Sequence, residues 1–363
     1  PGPRRASRAS DPPLMPRRPD PLFSIPKPEA FTEPVLDLLG GVARPRPLAG
    51  DEAIAALGRI EAAAKGGDPR ACAELARRLL TEEPGARTNR RALGLLRKSA
   101  AADYPEGLHL LGLLHMRGQG LRQDKVEGAR LIERAALLGS CAAQCDMARA
   151  CLLGAGAPAN AARALYWLRL AAAQGDAQAA LRAGRMYREG EGCARGPESD
   201  AQAARWLELA ARAGVPQAQY ELAELLRRAR DPARARQWMR EAAFSGIVDA
   251  QFRIGVANWS GAGGSVDQRE AVRWLCRAAE GGSPRAAAML AGFLMTGNGL
   301  PLSASRAWTL FRWAERLGDA DSAATARILE RQLPEEERAA GLALLTSAAP
   351  REILERLIPR AER

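Results

Sequence analysis

Few residues in this chain of 363 have types and spacings suited to chemistry, and the first to weigh are glycines. Residues 188–196, REGEGCARG, place three glycines in nine positions. A glycine-rich loop ahead of a helix can cradle a phosphate, because bare backbone amides converge on the anion. Yet the Gly-x-Gly pair recurs, at Gly118 and Gly120, Gly154 and Gly156, Gly190 and Gly192, Gly261 and Gly263, Gly297 and Gly299. A phosphate loop is single, follows a strand and ends in Gly-Lys-Ser/Thr, a triplet that does not occur here. Five sister copies after helical stretches mark a turn that needs positive φ.

Thiols and imidazoles come next. The six cysteines, Cys72, Cys141, Cys145, Cys151, Cys193 and Cys276, follow no CxxC spacing, so neither a zinc site nor a disulfide framework is indicated. They suit small buried hydrophobes in a reducing compartment. His109 and His115 are the only histidines, which starves a metal site further.

The elements that must position these residues form a repeat. Alanine dominates an apolar share of 47%, with only 5% aromatic, a composition that favours closely approaching helices. Segments starting at Pro69, Pro105, Cys141, Ala177, Pro216, Val248, Pro284 and Ala320 align, with steps of 36, 36, 36, 39, 32, 36 and 36 residues. Two residues before nearly every start stands a glycine (Gly67, Gly139, Gly175, Gly214, Gly246, Gly282, Gly318), with Asp103 the one departure. Each is expected to end a helix in the left-handed conformation. Seven residues into each unit is a small side chain, Ala76, Gly112, Ala148, Gly184, Ala223, Gly255 or Ala291, where another helix must come close; Arg327 breaks the column in the last copy.

Each second helix carries Trp or Leu followed by Ala-Ala, which aligns Trp167, Trp206, Trp238 and Trp274 as shared core. Thr88, Asp124, Asn160, Ser199, Asp231, Asp267 and Ser303 open these helices. All are N-cap types, each contributing about 1 kcal/mol by capping first-turn amides. His109 and Cys145 hold equivalent positions in adjacent units, as do His115 and Cys151. Stacked helices lie about 10 Å apart, too far for a Cys–His dyad. No catalytic residue, metal ligand or cofactor is assigned; a hydrolase would have to depend on His109 or Cys145.

The pattern Ala-x-x-x-Leu-Gly-x-x-Tyr, Gly-x-Gly, then Ala-x-x-Trp-x-x-x-Ala-Ala-x-x-Gly resembles the Sel1-like repeats, relatives of the tetratricopeptide repeats. Ala179, Ala183, Gly184, Tyr187, Gly190 and Gly192 carry it in repeat four, with Ala183 where Leu is usual; Ala250, Ile254, Gly255, Gly261, Gly263 and Asp267 carry it in repeat six. The resemblance implies an all-α, right-handed α-solenoid of about seven helix-turn-helix repeats, used as an interaction scaffold in bacterial envelope, secretion or signalling assemblies.

Three regions follow. Residues 1–48 hold twelve of the 24 prolines and read as a disordered tail, with a Pro13-x-x-Pro16-x-x-Pro19 spacing and two apolar pieces, LFSI and VLDLL. Residues 49–333 form the array. Residues 334–363 read as capping helices, although ILERLI has the spacing of a partner helix. Repeat four is expected to have three extra residues in its turn, and repeat five loses four with its Gly-x-Gly.

Partners should meet the concave face of such an array. The variable first-helix stripe carries Arg149, Arg182, Arg185, Glu221, Glu224 and Arg253, with Tyr220, Phe252 and Trp259 as aromatic anchors. Its plain reading is a solvated face; as a groove it suits bidentate arginine contacts to carboxylates on a protein or peptide partner or an anionic polymer. The net charge of +11 opens a competing class, a binder of anionic polysaccharide or nucleic acid. Arginines are interleaved with acids along the whole chain, which argues against a nucleic-acid patch. No apolar run reaches bilayer-spanning length. A cytoplasmic location is expected, or a periplasmic one if an upstream signal peptide has been removed.

Overall fold

Left-handed backbone marks every repeat boundary. Gly67, Gly139, Gly175, Gly214, Gly246, Gly282 and Gly318 have φ between 82° and 103°, and Asp103 takes the same region at 55°. A Cβ at any of these seven glycines would meet nothing within 4 Å, so conformation alone demands glycine there. The computed structural model describes residues 50–82, 86–262 and 265–358. The Pro-rich segment 1–48 and Gly263 lie outside the described residues. Among those described are eighteen α-helices and no strand, consecutive helices packing in pairs: the chain is an all-α solenoid.

The chain divides into two compact units. The first, Pro1–Asn160, contains α1 (Gly50–Lys65), α2 (Pro69–Glu82), α3 (Ala86–Ala101), α4 (Pro105–Arg117), α5 (Lys125–Leu137) and α6 (Cys141–Leu153). Here α4 and α5 approach through facing glycines. A Cβ at Gly112 would lie 2.7 Å from Ile132 Cγ1, and one at Gly128 would lie 2.7 Å from Met116 Cγ.

The second unit, Ala161–Arg363, contains twelve helices. They are α7 (Ala161–Ala173) and α8 (Ala177–Glu189), α9 (Pro197–Arg212) and α10 (Pro216–Arg228), α11 (Pro232–Phe244) and α12 (Val248–Ser260). The rest are α13 (Gln268–Glu280) and α14 (Pro284–Thr296), α15 (Ala304–Arg316) and α16 (Ala320–Glu330), α17 (Glu335–Ser347) and α18 (Pro350–Leu357). The small-residue column again admits the neighbouring helix: a Cβ at Gly184 would be 2.7 Å from Leu207, and at Gly255 2.8 Å from Leu275. The alanine pairs 171–172, 210–211, 242–243 and 278–279 are all 1% exposed or less. Trp167 and Trp274 are buried with them, whereas Trp206 and Trp238 are half-buried. Ile353, Leu354, Leu357 and Ile358, the apolar stripe of ILERLI, are buried in the same core as Leu290 and Trp308.

Four of the seven expected caps are made as expected. Asp124, Asp231, Asp267 and Ser303 each accept a hydrogen bond from a first-turn amide. Asn160 directly precedes α7. Thr88 is not a cap, because α3 already begins at Ala86. Ser199 is not one either. The three extra residues of repeat four are not in its turn: its connection, 190–196, is as long as those at 118–124 and 154–160, and α9 has 16 residues where α7 has 13. Pro197, with φ preset for a first helical position, starts α9 one turn early. Gly196 becomes the N-cap, its N–H donating to Ser199 Oγ at 2.9 Å while the Ser199 hydroxyl donates to Gly196 O at 2.8 Å.

Candidate functional site

The stripe residues stand on first helices, and most are engaged by the array itself. In the first unit, Arg149 on α6 pairs with Asp146, one turn before it. The other carboxylate oxygen of Asp146 lies 2.6 Å from His109 Nε2 on α4. Burial works to raise the Asp146 pKa, but the His109 hydrogen bond and nearby guanidinium charges outweigh it, and the carboxyl is held below its ordinary value. His109, weighed above against Cys145, is therefore oriented by a carboxylate from the next repeat.

In the second unit the ion pairs run from repeat to repeat. Arg185 Nε on α8 donates to Glu221 Oε1 on α10 at 2.8 Å, and Arg188 Nη1 donates to the other oxygen at 3.0 Å. Gln217 completes the set at 3.1 Å. Glu221 is only 6% exposed, so its charge is tolerated because three donors replace the water it lost. One step along, Glu224 Oε2 faces Arg227 at 3.2 Å and Arg253 at 3.4 Å on α12. Arg253 Nε also donates to the Tyr220 hydroxyl at 3.3 Å. Burial works against the Arg253 charge, but Tyr220, Glu224 and Asp249 overcome it and its pKa is raised. Tyr220 and Phe252 are half-buried, each packed on a core cluster, and the Arg285 guanidinium lies 4.9 Å from the Phe252 ring centre. Trp259 packs against Phe293 with the rings tilted by 31° and centroids 4.1 Å apart. Arg182 is different: it is exposed and pairs with no described residue.

Five of the six charged stripe residues, and all three aromatics beside them, thus lie on three consecutive first helices of one unit, α8, α10 and α12. Beside them is a cavity of about 380 Å³, with Met239, Ile254 and Val256 in its lining and arginines around it.

Comparison with known proteins accounts for the periodicity. The Sel1 repeat model matches residues 69–104, 105–140, 141–176, 177–215, 216–244, 248–283 and 284–319, more than half of the chain. The chain belongs to the Sel1 repeat family. Such proteins typically serve as protein-interaction scaffolds and are generally non-catalytic. The crystal structure of a protective antigen present in uropathogenic Escherichia coli strains, which displays an SLR fold, is similar at 25% identity and a TM-score of 0.63. The alignment covers 85% of this chain and 65% of that one, so this chain spans less than two thirds of that relative's length. A Sel1 repeat protein from Oxalobacter formigenes aligns at 22% identity over 87% of this chain and 98% of its own, with a TM-score of 0.47. A comparison with curated proteins returned no match.

Sequence reasoning missed two features of this Sel1 array. One is Arg188, which shares Glu221 with Arg185; their i, i+3 spacing was the available signal. The other is a glutamine column. Gln144, Gln219 and Gln251, each three residues into its repeat, donate from Nε2 to Ala136 O, Ala211 O and Ala243 O. Each of these carbonyls at the end of the preceding helix also accepts from the boundary glycine N–H of Gly139, Gly214 or Gly246, so the glutamine adds a second donor to it. No described helix is long and apolar enough to cross a membrane.

Proposed function

We propose that this Sel1 repeat chain is a non-catalytic scaffold that binds a protein or peptide along the first-helix face of repeats four to six, within a bacterial envelope, secretion or signalling assembly. The observation that carries the reading is the uneven state of the charges on that face. Arg185, Arg188, Glu221 and Glu224 are tied to one another or to neighbours, which fixes the backbone of three successive helices. Arg182, one turn from Arg185 on the same face of α8, is left open to a partner carboxylate. Tyr220 and Phe252 offer half-buried aromatic surface nearby, of the kind enriched at interfaces. The internal pairing also favours a protein partner over an anionic polymer, because much of the arginine charge is already neutralised. None of the six cysteines is in a disulfide, which suits a cytoplasmic home.

The test is the affinity of a partner captured from native lysate, identified and titrated against purified full-length chain. Arg182→Glu should weaken binding about tenfold, with Arg327→Glu, another exposed arginine, as an unchanged control. An Arg182→Glu protein with wild-type affinity contradicts the reading. A log–log salt slope of several units would instead indicate the polymer class.

A further inference from the structure

We propose that the cavity beside repeats five to seven receives an acidic peptide segment carrying a bulky apolar side chain; this rests on the first-helix face being the partner surface. The cavity, about 380 Å³, is of a size for one or two side chains, at the small end of ligand pockets at roughly 300–1,000 Å³. Its lining is apolar where α10, α11 and α12 meet, with Ala223, Met239, Ile254 and Val256. Such a surface gains free energy when an apolar side chain displaces water from it.

Around this lining stand four guanidiniums, those of Arg227, Arg236, Arg253 and Arg285, against one carboxylate, Glu224. Glu224 Oε2 is divided between Arg227 and Arg253, and its Oε1 accepts no hydrogen bond. Arg285 reaches Asp249 at 3.0 Å while lying over Phe252, a lining residue. Arg236 pairs with no described residue. Positive charge around an apolar lining is complementary to acids flanking an apolar anchor, and a polynucleotide or polysaccharide lacks the anchor. Glu224 occupies two arginines that a ligand carboxylate would otherwise take, so it acts as an internal competitor.

The probe is a fluorescein-labelled nonapeptide with a central Leu-Phe flanked by Asp and Glu, titrated by anisotropy against the full-length chain. Its partner is the same peptide with Leu-Phe replaced by Ser-Ser. The first should bind, and the second about tenfold more weakly. Arg236→Glu, at a half-exposed position that need not perturb folding, should weaken the first peptide about tenfold, and Ala257→Phe, which fills the cavity, by at least as much. Glu224→Gln should tighten it about threefold, a gain that a purely structural role would not produce. Equal binding of the two peptides, or an Arg236→Glu protein with unchanged affinity, overturns the proposal. Failure of the peptide while Arg182→Glu still weakens the captured partner overturns this ligand chemistry and leaves the face reading standing. An unchanged captured partner overturns the face reading itself.

Discussion

Repeats four and five depart from the 36-residue unit in opposite ways, and the two departures are absorbed by different means. Repeat four adds a turn of helix at the start of α9, whose new amide and carbonyl groups are satisfied within the helix and by Ser199. Its Gly-x-Gly connection is kept, with Gly190 at φ 73° and Gly192 at φ 75°. Repeat five instead shortens its connection to three residues, 229–231, and places Arg230 in the left-handed region at φ 61°. An insertion that extends a helix is internally satisfied; a deletion that removes the glycines moves their conformation onto a residue with a Cβ. Each departure borders a cavity. The one at repeat four is about 740 Å³, lined in part by Tyr166, Tyr187 and Trp206, and the one beside repeat five is about 380 Å³.

The largest effect should come from breaking the turn that repeat four retains. A Cβ at Gly192 would lie 2.5 Å from Ala161 O, which is backbone and cannot swing aside. Gly192→Ala should cost about 3 kcal/mol in denaturant unfolding, adding overpacking to the left-handed penalty. Gly175→Ala, with φ 94° and open space around it, should cost only about 1 kcal/mol. Equal costs would show that the contact with α7 contributes nothing.

Next in size is the carboxylate that joins the two repeats. Glu221→Ala strands Arg185, leaves Arg188 with Glu189 alone, and should destabilise by about 2 kcal/mol. An Arg185→Met background should shrink that loss in a double-mutant cycle, and additive losses would count against direct coupling.

Arg230→Gly runs the other way. It relieves the left-handed residue in repeat five and should stabilise by about 1 kcal/mol, read as a higher denaturation midpoint. No gain would mean that Arg230 makes compensating contacts.

The smallest effect lies in the turn of repeat four. Burial, with Glu189 close by, raises the Glu191 pKa. A carboxyl with a raised folded-state pKa contributes stability below its unfolded value of about 4.3 and loses it as pH rises through the folded value. Glu191→Gln should therefore match wild type in melting temperature near pH 4 and exceed it slightly at pH 7. A gap that does not widen with pH contradicts this.

Columns repeated seven times were legible because each repeats one physical demand. The helix-end glycines need only φ, and Asp103 could be placed among them because Asp tolerates that region. Asp124, Asp231, Asp267 and Ser303 cap as their type and place require. Ser199 misled because Pro197, two residues earlier, competes to open the helix, and a single insertion cannot be assigned to loop or helix by spacing alone. The tryptophan column held as core at Trp167 and Trp274 but only partly at Trp206 and Trp238, where identical spacing meets different neighbours. The charged stripe was found, yet its internal pairing was not, since Arg185 and Glu221 are 36 residues apart and their contact depends on the repeat stacking. The cavity, built from three repeats at once, left no trace in any one stretch.

Hydrogen–deuterium exchange of the full chain with and without its captured partner tests the central claim most directly. The account predicts that protection on binding concentrates in Ala177–Glu189, Pro216–Arg228 and Val248–Ser260, the helices that carry the paired charges. Protection confined to the second helices Pro197–Arg212, Pro232–Phe244 and Gln268–Glu280 would contradict it.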